Sequence, residues 1–469
     1  MFIFKLQLLV SQEDVENYNK IKSGMDRLRI LVEQSELWIY KRKEINKTHS
    51  DKLKANKNLD VEINNNTEFR IPKIDEPTSS NADSHEANEK IDKEIKELDE
   101  GPKLEHLAII KYKELYKILK TMIKMCVSES TTLDGILVKK PLKNNQRLLR
   151  NIGVHNIVLD LTKITYEKAE DKRMKIVMRV AHEFLQNFCY SNQRNQALLH
   201  EKIDFTNYPS NEWEAATVTQ IFKDNTVLCN ELNERLVQNF VHALESHSLE
   251  ESKVPYLEFL QTICISDGHE IKKNQDMIIS ELMMSEIMHL HLDKIHIDEL
   301  NSTMKTESSN SDKCSNILFN VNLIKLLICC TVGKNTFTEI KCHSFFSLED
   351  IEKVITNEHC ILQVKDIYIK FLYHCYIDTE NETREIFTQS HIWSIFENFI
   401  NDISLLVSER DGDEKCIDNL LRSYIANSVV DVLIGFFSHI QFNFIPNPQV
   451  SLLIILKKNE SCNLTFLLG

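Results

Sequence analysis

A chain of 469 residues with only 9 glycines and 8 prolines has few places at which it can turn tightly. Tight turns lean on glycine for positive φ and on proline for a pre-set φ, so a turn-rich β fold is disfavoured. Long helices with short joints are favoured instead, and glycine-rich loops that cradle phosphates are not expected. The hydrophobic pattern agrees. Val15, Tyr18, Ile21, Met25, Leu28, Leu31 and Val32 recur at steps of three and four, as on one helix face. Over 171–190 the stripe is Met174, Val177, Met178, Ala181, Leu185 and Phe188. Over 362–377 it is Val364, Ile367, Tyr368, Phe371, Leu372 and Cys375, and over 391–407 Trp393, Phe396, Phe399, Ile400 and Ile403. A fourth amphipathic stretch covers 414–438. Stripes of this width are helix–helix core before they are anything else. With no strand alternation and no fixed-period repeat, they predict an all-α chain of helices stacked pairwise into an irregular α-solenoid.

Composition shifts once. From 41 to 103 Lys, Asn, Glu, Ser and Asp dominate, with Pro72, Pro77 and Pro102 as breakers. So few apolar residues cannot offset the entropy of ordering, which predicts a disordered charged linker. Its end, Glu89-Lys-Ile-Asp-Lys-Glu-Ile-Lys-Glu-Leu98, reads as a solvated, transiently helical charge run. The expected organisation is a helical lead-in at 1–40, the linker at 41–103, a solenoid at 104–440 and a divergent tail at 441–469.

Several function classes are disfavoured. The formal charge is −14, with 70 acidic against 56 basic residues. Without an extended basic face, neither nucleic acid nor an anionic membrane surface is an expected partner. The 12 cysteines form no CxxC pair and several lie in apolar helical patterns, as buried thiols of a reducing compartment do. The apolar start Phe2-Ile-Phe-Lys-Leu-Gln-Leu-Leu-Val10 carries Lys5 and Gln7 and no small-residue cleavage site, unlike a secretion signal. No run approaches the roughly 18 to 20 apolar residues of a membrane span, so a soluble cytosolic chain is expected.

Candidate chemistry is equally sparse. His182-Glu-Phe-Leu-Gln186 begins like a zinc-protease helix but has Gln186 where the second histidine belongs. Val332-Gly-Lys-Asn335 lacks the earlier glycine of a phosphate loop, Ile328 standing there, and its Ser or Thr. His155, His182 and His200 are not at metal spacing and read as packing or hydrogen-bonded histidines. The basic stretch Lys139-Lys-Pro-Leu-Lys-Asn-Asn-Gln-Arg-Leu-Leu-Arg150 reads as a solvated helix start or as a dock for an acidic neighbour. No enzyme site is expected. One pair stands out in Leu31-Val-Glu-Gln-Ser-Glu-Leu-Trp-Ile-Tyr40. Glu33 and Glu36 are three apart, on one face if this is a helix, beside Leu37, Trp38 and Ile39. Two carboxylates there meet a metal ion, a basic side chain or water.

Longer stretches carry a resemblance. Asn145-Gln-Arg-Leu-Leu-Arg-Asn-Ile-Gly-Val-His155, Val158-Leu-Asp-Leu161, Tyr166-Glu-Lys-Ala-Glu-Asp171 and Ala181-His-Glu-Phe-Leu-Gln-Asn-Phe-Cys189 are similar to the central regulatory region of inositol trisphosphate receptors. So are Asn195-Gln-Ala-Leu-Leu-His200, Phe259-Leu-Gln-Thr-Ile263, Gly333-Lys-Asn-Thr-Phe-Thr-Glu-Ile-Lys-Cys342, His374-Cys-Tyr-Ile-Asp-Thr-Glu380 and, before the linker, Val32-Glu-Gln-Ser-Glu-Leu-Trp38. Their order, over 32–40 and 104–438, is also that of the family, whereas 201–216, 282–312 and the tail with Ser451-Leu-Leu-Ile-Ile-Leu-Lys-Lys458 diverge. The resemblance implies the armadillo-like homology domain shared by ryanodine and inositol trisphosphate receptors. It implies a regulatory and coupling solenoid of a homotetrameric calcium-release channel, at the cytosolic face of the endoplasmic reticulum membrane. Ligand core and pore would lie outside this chain, and neighbouring domains and subunits would be its partners. It further implies that Glu33 and Glu36 contribute to a regulatory calcium site completed by another domain. The alternative is a free-standing soluble scaffold derived from that family.

Overall fold

The computed structural model describes residues 11–41, 93–131, 137–246, 253–287, 311–358, 360–380, 386, 388–410 and 419–438. The tail at 441–469 and residues 42–92 of the expected linker lie outside them. The fold is all-α and solenoid-like, and the chain divides into two compact units, Met1–Phe188 and Cys189–Gly469.

In the first unit α1 (Gln12–Glu33) starts at Ser11, whose side chain accepts from the Asp14 amide. Its buried face, Ile21, Met25, Leu28 and Leu31, packs against α3 (His106–Cys126), α4 (Lys143–Ile152) and α5 (Val154–Thr162). Between α1 and α3 comes α2 (Ser35–Trp38), a single turn. Gly153, at φ 87°, ends α4 and begins α5, a left-handed joint that glycine takes without steric cost. Then α6 (Lys172–Cys189) lays its whole stripe, Met174 to Phe188, in the core. Val15 and Tyr18, the first residues of the α1 stripe, stay 46% and 43% exposed. They line a groove of about 520 Å³ with Asn145, Arg147 and Leu148 of α4.

Two features correct the sequence-based picture. Residues 93–103 are not part of an unstructured linker. Leu98 is fully buried, and Glu94 accepts from the Tyr116 hydroxyl at 2.6 Å and pairs with Arg179 at 3.1 Å. The buried Arg173 guanidinium donates to the carbonyls of Leu98, Pro102 and Asp99 at 2.9, 3.0 and 3.1 Å. A charged segment poor in apolar side chains is therefore ordered through its backbone carbonyls. Strands also occur: β1 (Val127–Thr131) pairs antiparallel with β2 (Leu137–Pro141), Val127 opposite Pro141. This hairpin grows from the end of α3, the Leu142 amide closing on the Cys126 carbonyl at 2.9 Å. Five-residue strands without alternation leave no periodic trace.

The second unit contains α7 (Gln193–Lys202), α8 (Glu212–Phe222), α9 (Thr226–Asn230), α10 (Glu234–Ser246) and α11 (Val254–Cys264). A two-residue hairpin, β3 (Ile265–Ser266) with β4 (His269–Glu270), leads to α12 (Lys272–Met284). Next come α13 (Ser311–Thr331), α14 (Thr336–His343), α15 (Leu348–Ile355), α16 (Leu362–Leu372), α17 (Ser390–Arg410), α18 (Asn419–Tyr424) and α19 (Val430–Ser438). The core passes from α8 to α11, α13 and α16 in turn. Phe222 and Phe240 both pack on Phe259, at 5.6 and 3.9 Å between ring centroids. The α16 stripe is buried throughout, Val364 to Cys375. On α17 the core face is rotated from the expected one, because Ile392, Ile395 and Leu406 take places expected of Trp393, Ile400 and Ile403, which are half-buried. Helical residues Leu420–Ser438 are long and apolar enough, by length and composition, to cross a membrane. The polar Ser423, Asn427, Ser428 and Asp431 hid that run in the sequence. Here Tyr424, Ile425, Val429, Val432 and Phe436 bury as a core helix does, Phe436 edge-on to Phe396 at 4.8 Å.

A repeated device joins these helices. Gln196, in the first turn of α7, donates through Nε2 to the carbonyls of Gln220 and Lys223 at the end of α8 (3.1 and 2.8 Å). Its Oε1 accepts from Asn225, the N-cap of α9, at 3.1 Å. Gln275, in the first turn of α12, repeats the pattern on the carbonyls of Cys329 and Val332 at 3.0 and 2.8 Å, and accepts from Asn335 at 3.1 Å. In the first unit Gln146 of α4 donates to the Asn187 carbonyl at 2.9 Å. Each glutamine follows an asparagine, and all three are buried. The loose end of one helix, whose last carbonyls lack intrahelical donors, is thereby tied to another helix.

Candidate functional site

The carboxylates Glu33 and Glu36 stand on either side of a helix break, not on one unbroken face. α1 ends at Glu33 because Gln34 turns to φ −94° and ψ 12°, and α2 restarts at Ser35. Both carboxylates are exposed. Leu37 is 79% exposed, whereas Trp38 is 3% exposed and anchors the turn. The Trp38 indole donates to the Leu31 carbonyl at 3.0 Å and meets the Tyr112 ring edge-on at 4.9 Å. The Tyr112 hydroxyl donates to Asp171 at 2.7 Å and accepts from the Tyr40 amide at 3.1 Å. Asp171 also accepts from the Met174 amide at 3.0 Å, which caps α6. Tyr40 adds a 2.7 Å bond from its own hydroxyl to Glu170. Burial pushes the Tyr112 hydroxyl far above its ordinary pKa, so it keeps its proton for Asp171 while its oxygen accepts from Tyr40. Tyr112 and Asp171 thus position the loop that carries the carboxylates. No local sequence signal marks them, since their partners lie in distant segments.

The charge that meets Glu36 within this chain is Lys41, which pairs with it and holds its carboxyl below the usual range through that hydrogen bond. An exposed pair of this kind is worth little and is easily exchanged. The donor set fits a hard cation only in part. Calcium takes roughly 6 to 8 oxygens, and two carboxylates supply a minority of them. Among the described residues no group of three or more His, Cys, Asp or Glu side chains could hold a metal ion.

The other sequence candidates fall into structural places. His182 is 4% exposed, and burial pushes its pKa down to about 4. His155 stacks on Phe188 at 5.3 Å, and His200 lies between Phe205 and Phe222 at 5.4 and 5.5 Å. Glu183, next to His182, pairs with Lys120 at 2.8 Å. In the basic stretch Gln146 and Leu149 are buried and Lys139 pairs with Glu129 at 3.9 Å, while Lys140, Lys143 and Arg147 are exposed. The stretches around Gly333 and His374 come together: Lys334 pairs with Asp378 at 3.0 Å, and the buried Glu339 accepts from the Glu380 amide at 3.4 Å. Burial raises the Glu339 pKa.

Sequence comparison fits this picture. A family model described as the RIH domain matches residues 113–324. The chain is 29% identical to the inositol 1,4,5-trisphosphate receptor itr-1 of Caenorhabditis elegans over 467 residues, 92% of this chain and 16% of that protein. It is 26% identical to the inositol 1,4,5-trisphosphate receptor-like protein A of Dictyostelium discoideum over 176 residues, 36% of this chain and 5% of that protein. The chain therefore spans only a small part of the length of these relatives. The chain is thus similar, along nearly all of its own length, to one region of an inositol 1,4,5-trisphosphate receptor, and the RIH domain model matches within that stretch.

Proposed function

We propose that this chain is a regulatory and coupling region of an inositol trisphosphate-gated calcium-release channel. In this reading it works at the cytosolic face of the endoplasmic reticulum membrane, within a homotetramer, and relays ligand and calcium signals to the pore. It catalyses nothing, and by itself neither binds inositol trisphosphate nor conducts. The carrying observation is the match over 92% of the chain to a receptor six times its length. An all-α unit whose helix ends are tied side chain to carbonyl supports it, because a relay needs elements that move as bodies. Glu33 and Glu36 supply carboxylate oxygens to a regulatory calcium ion, and an oxygen-bearing neighbouring domain supplies the rest. The end of α1 and the α2 turn present them outward on the Trp38 anchor, with Lys41 as the counterion of Glu36 that calcium displaces. The test is calcium inhibition of release from the full-length receptor carrying Glu33→Gln and Glu36→Gln. The curve should shift to higher calcium, and a curve that overlays the wild type would overturn the calcium role. The channel reading is tested by native size. The endogenous protein should run in a membrane-bound complex many times the 54.8 kDa of this chain. A soluble particle near that mass would favour the scaffold alternative.

A further inference from the structure

In the second unit two buried thiols face each other across a helix–helix contact that the coupling role does not use. Cys264 closes α11 and Cys330 lies in the last turn of α13. Their Sγ atoms are 3.6 Å apart, both side chains are fully buried, and 66 positions of sequence separate them. Adjacent residues on α12 hold both helix ends. Asn274 donates to the Ile263 carbonyl at 2.9 Å, and Gln275 to the carbonyls of Cys329 and Val332. The backbone on each side of the sulfur pair is thus fixed by one dipeptide, so the thiols stay in register without a bond between them. Further thiols lie close: Cys342 beside Cys330, and Cys375 hydrogen-bonded with Cys342.

We propose that Cys264 and Cys330 form a disulfide under oxidation, covalently joining α11 to α13. From van der Waals contact, χ rotation closes the remaining gap to the roughly 2.05 Å of a sulfur–sulfur bond. The oxidant class is a small-molecule disulfide. One cysteine, as thiolate, attacks it and releases one thiol, leaving a mixed disulfide on the protein. The second cysteine, as thiolate, attacks that protein sulfur and releases the other thiol. Two protein thiols lose two protons and two electrons, and the small disulfide is reduced to two thiols. Burial raises the Cys330 pKa well above its ordinary value, so the reaction is slow and waits on local opening of the α13 end. Cys329, next to Cys330, is only partly buried. Once formed, the bond closes a long loop and restricts the unfolded chain.

The experiment incubates the full folded chain with glutathione disulfide, blocks remaining thiols with iodoacetamide, and maps the digest by mass spectrometry. The expected result is a linked peptide pair containing Cys264 and Cys330, lost on reduction, with a higher melting temperature than the reduced protein. Cys264→Ser and Cys330→Ser should each abolish the link and the shift, while Cys126→Ser should change neither. The wild-type peptide map stands even if a serine variant folds poorly. Linkage of Cys342 to Cys375, or of Cys264 to Cys329, in place of this pair would overturn the proposal. So would full retention of free thiols at Cys264 and Cys330 while the urea-unfolded chain oxidises.

Discussion

Tyr112 shows how one side chain can hold two distant segments: its ring seats Trp38, its oxygen takes the Tyr40 amide, and its hydroxyl donates to the cap of α6. Tyr112→Phe leaves the Tyr40 amide and Asp171 each short of a partner, and should cost about 1–3 kcal/mol in a urea melt. A change within error would mean that water replaces the hydroxyl. Leu185 on α6 and Phe371 on α16 are buried, and Leu185→Ala should cost roughly 2–5 kcal/mol through lost contacts and the cavity. A loss well under 1 kcal/mol would mean that the site collapses around the smaller side chain. His182 predicts a pH dependence. Its pKa falls from 6.5 to about 4 by burial, so the unfolded chain binds the proton more readily. Its contribution to stability is complete above pH 6.5 and is lost as pH drops through the window toward 4, by about 1.4 kcal/mol per pH unit. His182→Gln should flatten that part of the stability profile, and an unchanged slope would place the titration on other groups.

At the level of elements, the asparagine–glutamine dipeptide does for helix ends what a cap does within one helix. Gln275→Leu leaves the Cys329 and Val332 carbonyls buried without that donor, and should cost about 2–5 kcal/mol, since two acceptors lose it together and the Asn335 amide keeps only Asp276. Loss of under 1 kcal/mol would show that the carbonyls find other donors. The segment at 93–103 hangs on Arg173 in the same manner. Arg173→Ala should open the peptide bonds after Lys96 and Lys103 to limited trypsin, with the α6 stripe still protected. Equal cleavage rates in wild type and variant would mean that Glu94 and Leu98 suffice to hold the segment. Intervals of 50 and 79 residues separate Gln146, Gln196 and Gln275, and this unequal spacing hides the device from a search for a fixed period.

For the whole molecule, the carboxylate pair is an incomplete shell among the described residues. Isothermal titration of this chain alone with calcium should give no binding tighter than about a millimolar, the weak end of sites built with full shells. Tighter binding lost in Glu33→Gln would mean that the chain completes the site itself. The chain matches 16% of the length of a receptor it resembles, and the ordered motifs disclose that resemblance. The candidate site was legible as a pair of carboxylates beside a tryptophan. Its helix break, its Lys41 counterion and its Tyr112–Asp171 support were not.

Helix content and the buried stripes of α6 and α16 were determined by the sequence alone, because periodicity near 3.6 residues acts within one segment and needs no knowledge of its neighbours. So were the all-α class and the resemblance to the receptor family. The tertiary structure alone decided that 93–103 is ordered, that Leu37 faces solvent while Trp38 does not, and which face of α17 is core. Each depends on partners tens of residues away: a guanidinium at 173 meeting carbonyls at 98, 99 and 102, or an amide at 275 meeting those at 329 and 332. Backbone carbonyls are the same in every residue, so no residue type announces which of them a distant side chain will find.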